Sequence, residues 1–224
     1  MIKVKANGSD IAILPAIKGL VSEGDIIAKA ICDIMPDAVG ISVSREELEA
    51  LNDKSVYDNY EMSVLEEVYA NNLSTFGEIE LPAPCYVSAI DTCKVQGISV
   101  IPLDINDIDY TEIYCQRIKA GDMMRDAFFT RRANRKKFDL SSPMAFALDW
   151  DRTVNKSRGF RRLQQDREEH MAASLHNMSR LHQRILAIVE IERARGVKDA
   201  LSRSMSDKVS YQVSDSTPIE CSHP

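Results

Sequence analysis

Histidine is absent from the first 169 residues of this 224-residue sequence, and aromatic residues make up only 6% of it. The first absence removes histidine-led metal sites and Ser–His or Cys–His catalytic pairs from three quarters of the chain. The five cysteines, Cys32, Cys85, Cys93, Cys115 and Cys221, include no Cys-x-x-Cys pair, which argues against a zinc ribbon or a disulfide scaffold. Reduced thiols are expected, most of them packing as small apolar groups. No run of 18 apolar residues occurs and "MIKVKANGSD" lacks the apolar segment of a secretory leader, so a cytoplasmic location without a membrane partner is expected. Neither a Gly-x-Ser-x-Gly elbow nor a Gly-x-x-x-x-Gly-Lys phosphate loop is found. What is present, 44% hydrophobic and 28% charged residues, is the composition of a globular domain with ample core.

The net charge of −6 is unevenly spread. Between Arg117 and Arg167, 14 Lys and Arg face 6 Asp and Glu, a local balance of +8 that leaves −14 for the rest. The stretch "TRRANRKKF", Thr130 to Phe138, which carries most of the basic segment 125–137, has the residue types that release counterions from a polyanion. Overall acidity, and the lack of an aromatic residue inside the Arg/Lys run for base stacking, make a solvated face the better reading, and nucleic acid is not expected as a partner.

Apolar periodicity orders the elements. Asn7-Gly8 between two apolar runs is a hairpin signal. A helix is expected from Ser22, with Ile26, Ile27, Ala30, Ile31 and Ile34 before Pro36, followed by a buried strand, "DAVGISV", and a capping box of Ser44 with Glu47. A helix over residues 61–73, another over 86–96 stopped by Gly97, and the strand "ISVIPLD" come next. Asp107 is placed to cap a helix that carries Ile108, Ile113 and Ile118 and runs on past Gly121. From about 120 to 165 periodicity is weak, so a loop-rich insertion or lid holding Trp150 is expected. A long helix over 161–184 then feeds the strand Ile185 to Val189, and a short helix follows Gly196. The alternation implies an α/β fold, a mainly parallel or mixed sheet with crossover helices plus a helical or loop insertion in the middle. It forms one domain over residues 1–203, with 204–224 a flexible tail.

Four stretches taken in order resemble the TraB/PrgY family, which is related to Tiki and erythromycin-esterase-like proteins. "ILPAIKGLVSEGDIIAKAICDIMPDAVGISVSREELEAL" is similar to its opening strand, helix, "PDVV" strand and turn, and "AIDTCKVQGISVIPLDINDI" to its alanine-rich helix and following strand. "DREEHMAASL" is similar to its "ERD-YMA" helix start, and "RILAIVEIERARGVKDAL" to its closing strand and helix. The resemblance implies two Gly-x-x-His motifs and a glutamate at strand ends that hold a divalent ion and lower the pKa of a bound water. Those residues are missing. Glu190, Ile191, Glu192 and Arg193 stand at the closing Gly-Ala-Gly-His position, Ser42 replaces the glutamate, Ile105 replaces an arginine, and the opening motif, around Ala16 to Leu20, has no histidine. Asp104, Arg167 and Glu168 survive.

The candidate pocket therefore comprises Ser42, Asp104, Arg167, Glu190, Glu192 and Arg193, gathered where parallel strands exit. Arg193 is expected on that rim near Ser42 and Asp104, paired with the Asp104 carboxylate or with a carboxylate of a ligand. His170, His176 and His182 recur every six residues, a rotation of about 240° each time, so they share no helix face. The leading reading is a pseudoenzyme, a non-catalytic ligand-binding or regulatory protein for a small anionic or peptide ligand, with a homodimer as an open arrangement and no catalytic residue or cofactor. The alternative is a metal-dependent hydrolase or peptidase using rearranged acidic ligands, Asp104, Glu190 and Glu192, for Mg²⁺ or Mn²⁺. A polyanion-binding module acting through Arg131 to Lys137 ranks last.

Overall fold

The computed structural model describes residues 1–57 and 60–214. Five strands, β1 (Ile2–Ala6), β2 (Ser9–Ala16), β3 (Ala38–Ile41), β4 (Ser99–Pro102) and β5 (Arg184–Glu190), form one sheet in the order β1-β2-β5-β3-β4. Strands β2, β5, β3 and β4 are parallel, and β1 is antiparallel to β2 across the Asn7-Gly8 turn. Both turn residues have positive φ, 50° and 85°, which the Asn-Gly pair accommodates. The expected α/β class, with its mostly parallel sheet and crossover helices, is the fold observed.

Alternation along β5 shows how the sheet is covered. Ile185, Ala187 and Val189 face a cluster built with Met171, Leu175, Val197 and Leu201, from α8 (Arg158–Met178) and α9 (Ile191–Ser214). Leu186 and Ile188 face the opposite cluster, with Ile27 and Ile31 of α1 (Val21–Ile34) and Ala89 and Cys93 of α4 (Pro84–Gln96). A period of two on a strand buried on both sides yields this division. A third cluster lies beyond the strand exits, where Leu73 of α3 (Val64–Leu73) meets Phe146 of α7 (Pro143–Val154) along with Ile17, Leu20 and Phe138.

Ser44 caps α2 (Arg45–Asn52) by accepting from the Glu47 N–H at 3.1 Å, and Gly97 stops α4 with φ 68°. Elsewhere the structure departs from the sequence reading. Residues 120–165 are largely helical: α6 (Ala120–Thr130), α7 and the start of α8 occupy them. Ser142 caps α7 and Pro143 opens it, signals masked by the run of small polar residues before them. Asn106, not Asp107, caps α5 (Asp107–Arg117), which breaks at an extended Ile118 and leaves Ile108 exposed. Helix α8 starts earlier than expected and stops at Met178, so His182 lies beyond it, while His170 is exposed and His176 buried. Helix α9 begins directly at Ile191 and continues through 204–214, where a tail was expected to start. Residues 215–224, with Cys221 and His223, lie outside the described residues. Cys85 and Cys93 pack inside, but Cys32 and Cys115 are exposed, so only two of the four described thiols serve as apolar filler. No helix among the described residues is long and apolar enough to cross a membrane.

Candidate functional site at the strand exits

The parallel register aligns Ala16 with Glu190, Ile41 with Ile188 and Ile41 with Pro102, so the chain leaves four strands along one rim. Lys18 follows β2, Ser42 follows β3, Asp104 follows β4, and Glu190 ends β5. Because α9 starts without a connecting loop, Glu192 and Arg193 occupy its first turn on that same rim.

A chain of charges runs along it. The Lys18 ammonium donates to Glu190 Oε1 at 3.0 Å, and the other Glu190 oxygen lies 3.6 Å from Arg167. Arg167 Nε donates to Asp104 Oδ2 at 2.9 Å, and its Nη1 donates to Gln164 at 2.9 Å. Burial alone would raise the Glu190 carboxyl, but the charges of Lys18 and Arg167 outweigh it and bring it down to about 2. Arg193 forms a separate knot: its Nη1 donates to Glu168 Oε1 at 2.8 Å and its Nη2 pairs with Asp151. Gly196 permits this arrangement, since a Cβ there would come within 2.0 Å of Glu168 Oε2 and push that carboxylate from Arg193. Glu192 differs from all of these. Burial, reinforced by the neighbouring Glu190 charge, pushes its carboxyl up to about 7, and no ion pair holds it among the described residues.

Above the charges opens a cavity of about 610 Å³. Leu65, Tyr69 and Leu73 of α3, with Trp150 and Val154 of α7, supply its apolar wall, and Lys18, Arg167, Glu190, Glu192 and Arg193 its polar floor. Tyr69 and Trp150 meet edge to face at 5.5 Å. This is the size and balance usual for small-molecule pockets.

Four of the six residues expected to line a pocket, Arg167, Glu190, Glu192 and Arg193, line this one; Ser42 and Asp104 lie behind it. Ser42 is 1% exposed, with its hydroxyl 2.7 Å from that of Tyr86 and accepting from the Glu190 N–H at 3.0 Å, so it ties two strand exits together. Asp104 is taken up by Arg167 and by the Ile105 N–H at 2.8 Å. The expected partner of Arg193 is also corrected. Its place on the first turn of α9 directs it to α8 and α7, and Arg167 takes Asp104 instead. Sequence reasoning missed Lys18, which lies within the opening-motif window and carries a charge at a strand exit. It gives no sign of Tyr69, Trp150 or Asp151 at this site, the last two because they lie on α7, in a segment whose weak periodicity predicts a loop.

A second cavity, of about 690 Å³, lies among α6, α7 and α8 and is lined by Arg125, Arg132, Arg135, Lys136 and Lys156 around Phe128, Phe129 and Phe160. The Arg132 guanidinium stacks 4.2 Å from the centre of the Phe128 ring. This is where part of the basic "TRRANRKKF" stretch comes to rest.

The described residues contain no group of three or more His, Cys, Asp or Glu side chains arranged to hold a metal ion. Of the acidic trio considered for Mg²⁺ or Mn²⁺, Asp104 is engaged by Arg167, and Glu190 is bracketed by two cations. Those residues do not fit a divalent ion. No protein-family model matches the chain, and no curated protein matches it.

Proposed function

We propose that the chain is a TraB/PrgY-like domain that has exchanged the family's metal-ligand set for a binding pocket, and that it acts as a non-catalytic ligand-binding or regulatory protein. The observation that carries this reading is the state of the rim. The stretches that resemble the family's strand-end motifs converge there, as descent from a shared site requires, and cations now stand among them. Lys18 emerges from the opening-motif window and Arg193 from the closing histidine position, and both are neutralised by the protein's own carboxylates. A fixed guanidinium repels a divalent ion. Over these groups lies a cavity large enough for a small molecule, with most of its wall apolar.

The test has two arms. In a thermal-shift screen of small molecules, compounds that raise the melting temperature of the wild-type protein should lose that effect in Leu65→Arg, which fills the cavity from a half-buried position on α3. In parallel, peptide substrates with Mn²⁺ or Co²⁺ should remain uncleaved. Metal-dependent cleavage that disappears in Glu190→Ala would overturn the proposal in favour of a hydrolase with rearranged acidic ligands.

A further inference from the structure

The charges around the rim cavity do not cancel. Its three cations are each held by protein carboxylates: Lys18 by Glu190, Arg167 by Asp104 and Glu190, Arg193 by Glu168 and Asp151. None is left over for an incoming anion. Glu192 is the converse case, a half-buried carboxylate on the cavity floor that takes part in no ion pair among the described residues and is met only by its own backbone N–H. A largely desolvated carboxylate without a counter-charge is costly and is relieved by a cation that brings its own. Tyr69 stands next to it: after burial, the Glu192 charge is the largest influence raising the pKa of the Tyr69 hydroxyl. Tyr69 and Trp150 add two ring systems to an aliphatic wall that includes Leu65, Leu73, Ile79 and Val154. Aromatic faces attract ammonium groups, most strongly once these are stripped of water.

Resting on the binding reading above, we infer that the cavity takes a small organic cation, an ammonium head on an aryl or alkyl body, with Glu192 as its counter-charge and Tyr69 and Trp150 flanking it. The small anionic ligand expected from sequence is disfavoured, because an anion would enter beside Glu190, Glu192 and Asp151 with every nearby cation already engaged.

Trp150 is the only tryptophan and lines the cavity, so its fluorescence reports occupancy directly. Three probes of one shape separate charge from fit: 3-phenylpropylamine, 3-phenylpropan-1-ol and 3-phenylpropanoate, titrated at pH 8. The amine should bind on the order of 10-fold more tightly than the alcohol, the strength of a hydrogen bond to a charged group, and the carboxylate more weakly than either. Glu192→Gln should erase the amine's advantage while leaving the alcohol unchanged; Glu112→Gln, exposed on α5 and outside the cavity lining, should alter neither. In the wild-type protein the advantage should shrink between pH 8 and pH 6 as Glu192 gains a proton among Glu190, Asp151, Arg193 and Tyr69. If the alcohol binds and the amine binds no tighter, or if Glu192→Gln leaves the amine's affinity intact, the cation inference is overturned and the pocket stands. If none of the three perturbs Trp150 at millimolar concentration, both readings are overturned.

Discussion

Two cavities of similar size among the described residues treat charge in opposite ways. In the rim cavity, cations and carboxylates lock together at 2.8 to 3.6 Å, half-buried or buried, with backbone and side-chain hydrogen bonds completing their shells. Along α6 and the turn after it, Arg131, Arg132, Arg135, Lys136 and Lys137 are exposed, and stacking on rings, as Arg132 does on Phe128, replaces close pairing. The contrast separates a density of charge, visible in composition, from an arrangement of charge, which requires strands and helices to bring distant residues together. Sequence drew attention to the basic run, yet the less conspicuous scatter of Lys18, Asp104, Arg167 and Glu190 is the interlocked group.

Three measurements would sharpen or break this contrast. The largest effect is expected at Arg167. Arg167→Ala leaves Asp104 buried without its cation and strips Glu190 of one of two, so unfolding free energy should fall by about 3–5 kcal/mol, a loss of roughly 6 to 20 °C in melting temperature for a chain of this length. Replacing the pair together, Arg167→Met with Asp104→Leu, should recover much of that loss; an equal loss in both variants would mean that the charges themselves stabilise the rim. A smaller effect is expected at Glu192. Its folded carboxyl, near 7, holds the proton more tightly than an unfolded glutamate near 4.5, so its contribution is fully present below about pH 4.5 and is lost as pH rises through 7. Glu192→Gln, permanently neutral, should match the wild type at pH 4.5 and exceed it by about 1–2 kcal/mol above pH 7 in denaturant unfolding. Glu190 has the opposite sign: held down to about 2, it stabilises above pH 4.5, and that contribution is lost as pH falls towards 2. The smallest effect belongs to the basic cavity, where Arg135→Ala should change stability by no more than about 0.5 kcal/mol. A larger change would show that the α6 charges are interlocked after all.

The parts legible in the sequence are those set by short-range rules. Asn7-Gly8 announces the hairpin, Pro36 and Gly97 close two helices, and the unbroken apolar run of β5 marks a strand buried on both faces. The parallel topology then gathers the strand exits, so Glu190, Glu192 and Arg193 share one rim, while Arg167 reaches the same cavity from α8, and Ser42 and Asp104, expected with them, do not line it. Partners were harder. Arg193 was expected beside Asp104, but which carboxylate an arginine reaches depends on where α9 begins, and no loop residue signals that start: Glu190 ends the strand and Ile191 opens the helix. Phe146, Trp150 and Val154 of α7 do recur every four residues, but the exposed Met144 and Leu148 interleave with them and the Ser-Ser-Pro before them reads as loop, which obscures the helix. With α7 unseen, the wall that Trp150 shares with Tyr69 could not be anticipated, nor could the Asp151 contact to Arg193.

The strand order leaves β1 and β4 at the two ends of the sheet, each with a row of backbone donors and acceptors that no strand among the described residues pairs. Such rows can recruit a strand from another molecule and seed aggregation. On β1 the alternation places Lys3 and Lys5 outward, exposed, each following a half-buried residue, Ile2 or Val4. At the other end β4 is four residues long and finishes at Pro102, which has no N–H to offer. Edge-to-edge pairing is therefore opposed by charge on one side and by brevity on the other, so replacing Lys3 and Lys5 with threonine should leave the fold intact while making the protein more prone to assemble through β1.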